Sequence, residues 1–140
     1  MKIRTATLND LDALTAVEAE CFPAAEAATK KDFENRLAYY ADHFWLMFDE
    51  NDKLIAFVDG MVTDEADLTD EMYEKGEMHN ENGAWQMIFG VNTIPSCRIQ
   101  EKTHILNKPH NIILMRRLGQ LRMLFLLQQV LDILLRSADV

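Results

Sequence analysis

The run Ala84-Trp-Gln-Met-Ile-Phe-Gly-Val-Asn-Thr-Ile-Pro95 constrains this chain more than any other stretch. An almost continuous apolar segment of this length, rich in β-branched and aromatic residues, suits a strand buried on both faces. Gly90 inside it points to a bulge or to a backbone that another group must approach closely, although a plain core strand also tolerates a glycine. Pro95 carries no amide hydrogen and biases Ile94 to extended geometry, so the ladder should end there. A strand that splays at a bulge leaves backbone N–H groups open to a ligand's carbonyl.

The residues before this strand read as alternating short elements. Lys2 to Thr5 is a short strand, and Thr7 followed by Asp10 is a capping-box-like start for a helix with Leu11, Leu14 and Val17 on one face. Pro23 ends that helix, and Phe22 to Ala28 forms a connecting loop. Thr29 with Asp32 caps a second helix, on which Phe33, Leu37 and Tyr40 recur at i, i+4 and i+7. Phe44-Trp-Leu-Met-Phe48 and Leu54-Ile-Ala-Phe-Val58, separated by Asp49-Glu-Asn-Asp52, predict an antiparallel hairpin. Gly60 sits near its outgoing end, and extended chain can continue to Val62. Asp64 to Glu81 is acidic and rich in turns, with a short helix around Tyr73. Periodicity alone therefore gives a mixed α/β domain.

Charge and cysteine content narrow the class of partner. A formal charge of −9 repels nucleic acid and anionic membrane and attracts cationic small molecules. The charge is uneven: residues 96–140 hold 3 acidic and 7 basic side chains, against 20 and 7 before them, which suggests a boundary near Pro95. Cys21 and Cys97 match no metal spacing and read as reduced thiols. The N-terminus has no basic patch followed by an apolar segment, and no stretch reaches membrane-spanning length without polar interruption. A cytoplasmic location, with no membrane and no nucleic acid as partner, is the resulting expectation.

The segment Cys21-Phe-Pro-Ala-Ala-Glu-Ala-Ala28, in a chain opening Met1-Lys-Ile-Arg-Thr-Ala-Thr-Leu-Asn-Asp-Leu11, resembles the GNAT superfamily of N-acetyltransferases. With Thr63-Asp-Glu65 and Leu68-Thr-Asp-Glu-Met72 it most resembles the arylalkylamine N-acetyltransferase-like branch. The resemblance covers residues 1–95. It implies an α/β (α+β) fold, in which an acetyltransferase-like mixed sheet has a kinked central strand, and acetyl transfer from acetyl-CoA to a small, arylalkyl-type amine. It also implies that Phe89, Gly90 and Val91 supply backbone contacts to the acetyl and pantetheine groups, while the side chains of Phe89 and Val91 pack in the core. Phe22, Pro23 and Glu26 fall on the loop that lies over the amine pocket in the family, though Phe22 and Pro23 would serve equally as a helix stop. The branch's two strand histidines match Trp85 and Met87, neither of which can be a base. His79, between Glu77 and Glu81, is the nearest titratable alternative as a catalytic group, and a loop histidine can equally be solvated. A metal reading of Glu77-x-His-x-Glu81 finds no further ligand at known spacing, so no metal is expected.

Beyond Pro95 the resemblance stops. The family's next loop binds pyrophosphate through glycine-spaced backbone N–H groups at a helix N-terminus, whereas here no glycine occurs between Pro95 and Gly119. Arg116-Arg-Leu-Gly119 lacks the final small residue, and the usual acid tyrosine is absent, because Tyr39, Tyr40 and Tyr73 all precede the strand. From Ile112 to Arg136 the apolar spacing predicts one long helix. The fold is thus expected to be incomplete: 1–95 as the N-terminal half of an acetyltransferase fold, and 96–140 as a divergent helical tail packed on it or on a partner chain. A shifted reading frame is one explanation, since Ile99 to Thr103 can be encoded so that a one-base displacement reads Tyr-Arg-Lys-Arg. A truncated, divergent protein is the other.

Two functions remain open at this level. One is an amine N-acetyltransferase with impaired transfer; the other is a non-catalytic domain acting in binding or self-association. A leucine-rich helix that covers a second copy of the chain would make a homodimer, since large apolar patches rarely stay uncovered. Light scattering should then give twice the chain mass; a monomer that is also cleaved rapidly beyond Pro95 counts against both placements of the tail.

Overall fold

A computed structural model describes residues 2–97 of the chain and the backbone of 115–116. The chain begins with β1 (Lys2–Thr5), a 3-10 turn at Leu8–Asp10 and helix α1 (Leu11–Cys21). The Asp10 carboxylate accepts from the N–H and hydroxyl of Thr7 and from both terminal nitrogens of Arg4, at 2.7–3.1 Å. It therefore ties the end of β1 to the start of α1. Helix α2 (Lys30–Tyr40) starts at a reciprocal cap. Thr29 Oγ1 accepts from the Asp32 N–H at 3.2 Å, and Asp32 accepts from the Thr29 N–H at 2.8 Å.

The hairpin expected from sequence forms as β2 (Phe44–Phe48) and β3 (Leu54–Asp59). Asp49 closes its loop by accepting from the N–H groups of Asn51 and Lys53, and Asp52 adopts a left-handed φ of 61°, which short polar side chains tolerate. Every residue of both strands is buried. Helix α2 packs on them through Phe33, whose ring meets Phe44 at 6.2 Å and Phe57 at 5.8 Å, both edge to face. Complete burial of such a ring contributes roughly 1.5–3 kcal/mol. Leu14, Val17, Leu37 and Tyr40 fill the same helix–sheet layer.

The apolar run around Gly90 is two strands and not one. β5 (Trp85–Gln86) pairs antiparallel with β4 (Val62–Thr63), and β6 (Gly90–Thr93) pairs antiparallel with β3. Between these ladders two residues, Gly60 and Met61, face three, Met87 to Phe89. That one-residue excess is a bulge, and it lies just before Gly90 instead of on it. Two of its N–H groups are paired locally: the Met87 N–H donates to Met61 O and the Phe89 N–H to Asp59 O, each at 2.8 Å. The Gln86 side-chain amide donates to Met61 O and Met87 O at 3.1 and 3.0 Å.

The described strands form two sheets, ordered β1-β2-β3-β6 and β4-β5-β7, where β7 is Met115–Arg116. The expected central strand is thus central only in its first half. β5 has neighbours on both sides, whereas β6 is the outer strand among the described residues. The segment 112–136, expected as one helix, departs from that at Met115–Arg116, which pairs with β5; its other residues lie outside the described ones. Helix α3 (Asp70–Glu74) occupies the place of the short helix expected around Tyr73. No helix among the described residues is long and apolar enough to cross a membrane.

Gly60 is required by the bulge. A β-carbon there would lie 1.7 Å from the Met87 carbonyl oxygen, which is backbone and cannot rotate away. Gly60→Ala should therefore force β3 and β5 apart and destabilise the domain by about 3 kcal/mol, measured as a lowered urea midpoint with an unchanged slope.

Candidate active site

A cavity of about 600 Å³ opens on the helix side of the bulge, and its lining comes from α1, the α1–α2 connection, α2, the end of β3, α3 and β6. It is graded from mouth to floor. Glu26, Asp70 and Glu74 are exposed at the mouth, Phe22, Leu68, Tyr73 and Phe89 form half-buried walls, and Glu18, Arg36, Asp59 and Asn92 are buried at the floor.

The floor is a connected set of polar groups in an apolar surround. Arg36 and Asp59 form an ion pair at 3.1 Å, with side chains 7% and 3% exposed. The guanidinium also donates from Nε and Nη2 to the Tyr73 carbonyl at 3.3 and 3.2 Å. It lies 5.3–5.8 Å from the ring centres of Phe33, Tyr73 and Phe89, within cation–π range. Burial pushes the Asp59 carboxyl up to about 6; Arg36 opposes the rise and the nearby Glu18 charge adds to it. Burial likewise raises the Tyr73 phenol, with the Asp59 charge acting in the same direction, so Tyr73 stays protonated at neutral pH.

Glu18 accepts from the Ala28 N–H at 2.9 Å and from the Asn92 side-chain amide. That places Asn92 Oδ1 on the other side of the amide, where it is buried and has no hydrogen-bond partner among the described residues. A β-carbon at Gly90 would lie 3.1 Å from this oxygen and 3.5 Å from Asp59 Oδ1. Two acceptor oxygens therefore converge on the α-carbon of Gly90, and the missing side chain keeps the space before them open. A buried acceptor without a donor costs about 1–3 kcal/mol, which a donor group entering the cavity would recover.

Of the residues singled out from sequence, Phe22, Glu26, Phe89 and Gly90 line this cavity. The Phe89 N–H, expected to serve a ligand, is taken by Asp59 O. Pro23 is exposed, and its carbonyl accepts from the N–H groups of Glu26 and Ala27, shaping the turn that carries Glu26. Val91 packs in the core opposite Val58.

His79 stands elsewhere, in a cluster with His43 and Glu81. Glu81 Oε2 lies 2.7 Å from His43 Nε2 and 3.0 Å from His79 Nε2. The His79 ring lies against Tyr40, 5.3 Å between centres, and Tyr40 in turn meets Phe89 edge to face. The sequence offered His79 and Glu81 no third ligand, yet the fold brings His43 to them, so these three could approach a metal ion. The protons disagree with that role: the Val62 N–H donates to His79 Nδ1 at 3.1 Å. The His79 proton then sits on Nε2, the atom a metal would need.

Sequence reasoning missed Glu18, Arg36, Asp59 and Asn92. A signal existed for the first three. Glu18 follows Leu11 and Leu14 at helical spacing, Arg36 falls between Phe33 and Leu37 on the buried stripe, and Asp59 ends an apolar strand. Charges set into an apolar stripe are informative, because burying them unpaired is costly.

No protein-family model matches the sequence, and no curated protein is found similar to it. Solved structures are similar. The GNAT-like decarboxylase GphF, in complex with isobutyryl-CoA, superposes with a TM-score of 0.63 at 25% identity, over 76% of this chain and 55% of that one. The loading GNATL domain of CurA from Lyngbya majuscula superposes at 0.62 with 19% identity, over 74% and 51%. The described residues form a GNAT fold segment. The chain spans about half the length of either structure. Within this fold segment, the bulge falls just before Gly90, in the strand that sequence resemblance described as kinked.

The Arg36–Asp59 pair allows a direct test of how this floor is held. Asp59→Ala leaves a buried guanidinium unpaired and should cost about 3–5 kcal/mol in urea unfolding, whereas adding Arg36→Leu should recover most of that loss.

Proposed function

We propose that this chain is an amine N-acyltransferase, taking its acyl group from an acyl-coenzyme A, with acetyl-CoA as donor and a small cationic amine as acceptor. One observation carries the reading: Asn92 Oδ1 and Asp59 Oδ1 converge on the open face of Gly90 at the bulge, where an amine nitrogen would find two acceptors. The name of GphF calls it a GNAT-like decarboxylase, a reaction that consumes a carboxylate. The described lining disfavours a carboxylate, because Arg36, the one cation among the described residues of the cavity, is already paired and carboxylates surround it. The arylalkyl preference suggested by resemblance is supported by the Phe22, Tyr73 and Phe89 walls.

In this reading Asp59 takes the proton from the entering ammonium, as a base whose affinity has been raised toward neutrality by burial. The freed nitrogen attacks the thioester carbonyl, a C–N bond forms and the C–S bond breaks. The thiolate leaves with a proton from the Tyr73 phenol, and the second proton shed by the nitrogen as the amide forms returns to that phenolate, so the proton held by Asp59 is the one released. That assignment replaces the acid tyrosine missing from the second half of the sequence with one that precedes the strand in the chain and lines the cavity beside it. Arg36 positions Asp59 and does not touch substrate. Similarity to GphF, whose structure holds isobutyryl-CoA, supports a coenzyme A thioester as the donor. For the pyrophosphate, the absence of glycine between Pro95 and Gly119 supports weak binding and slow transfer.

Thiol release with a panel of arylalkylamines and polyamines, alongside calorimetric titration of coenzyme A, tests the proposal. Weak coenzyme binding is expected, with kcat/KM rising as pH increases through about 6, where Asp59 loses its proton. Asp59→Asn keeps a partner for Arg36, and it should lower kcat/KM roughly a hundredfold and remove that rise. Unchanged turnover in Asp59→Asn would overturn the assignment of the base.

A further inference from the structure

We infer that the acceptor is an α,ω-diamine, whose second ammonium group binds at the mouth of the cavity while its first lies at the floor. This inference rests on the amine-acceptor reading and deepens it. The order of chemistry along the cavity matches such a molecule at three levels. At the mouth, Glu26, Asp70 and Glu74 are exposed carboxylates from two separate segments, the turn after α1 and helix α3, and they face one opening. Below them, Tyr73 and Phe89 lie tilted against each other, 4.7 Å between ring centres, and offer an apolar wall to a methylene chain.

At the floor, Asn92 Oδ1, buried and without a partner among the described residues, calls for a hydrogen-bond donor independently of the acidic mouth. A monoamine satisfies the floor and leaves the mouth to solvent and salt. A diamine satisfies both, and its alkyl chain removes the aromatic wall from water. A second ammonium held by exposed carboxylates gains only a modest, screened attraction, so the preference should be about tenfold at low salt and shrink as salt is added.

The test is calorimetric titration of the full chain with 1,4-diaminobutane and 1,5-diaminopentane, against butylamine and pentylamine, at low and high salt. The inference expects each diamine to bind about tenfold more tightly than the monoamine of equal carbon number. In the chain carrying Glu26→Gln, Asp70→Asn and Glu74→Gln together, that ratio should fall to near one. All three positions are exposed, so the fold should survive, and the wild-type comparison stands without the variant. Equal affinity for both classes in the wild type, or a ratio unmoved in the triple variant, overturns the second ammonium site and leaves the amine reading intact. Failure of every amine to bind overturns both.

Discussion

The buried pair of Arg36 and Asp59 joins a helix, a strand and the segment carrying Tyr73 at one point. It ties helix α2 to the end of strand β3, and through the Tyr73 carbonyl it fixes α3 over the same spot. The rings of Phe33, Tyr73 and Phe89 enclose the guanidinium, so the bulge itself is packed against it. A buried ion pair is weak evidence for stability, since desolvation offsets most of the attraction. What it supplies here is placement. One oxygen of Asp59 is engaged by Arg36, and the other is aimed at Gly90.

That placement depends on the mismatch between Gly60–Met61 and Met87–Phe89. Without the extra residue, β5 and β6 would be one strand in constant register, and a one-residue slip would turn every later side chain to the opposite face. The bulge lets Gln86 stay buried beside the β4 ladder while Asn92 reaches Glu18 on α1. The same sequence run thus serves two neighbours, β4 before the bulge and β3 after it.

Most of the fold was legible because each element carries its own local signal. Thr29 with Asp32, the acidic loop between Phe48 and Leu54, and the apolar periodicity of Phe33, Leu37 and Tyr40 act over a few residues. The bulge could be anticipated from Gly90, but its position could not. It is set by Gly60, thirty positions upstream, where a β-carbon would collide with Met87 O. The site was half legible. Phe22, Glu26, Phe89 and Gly90 follow from resemblance, whereas Glu18, Arg36, Asp59 and Asn92 become a site only when two helices and two strands meet. His43 and His79 illustrate the same limit: no sequence spacing marks them as neighbours.

The Gln86 carboxamide has a further consequence. Its two N–H groups bridge Met61 O and Met87 O, and its carbonyl oxygen lies 2.7 Å from His43 Nδ1. All of these bonds are internal to the protein, so the bulge that borders the cavity is braced before any guest arrives. Pre-organisation of this kind removes the conformational entropy that ordering a loose cavity wall around a guest would otherwise cost. Capture would then be a single encounter, its rate proportional to guest concentration and free of any plateau imposed by a slow opening step.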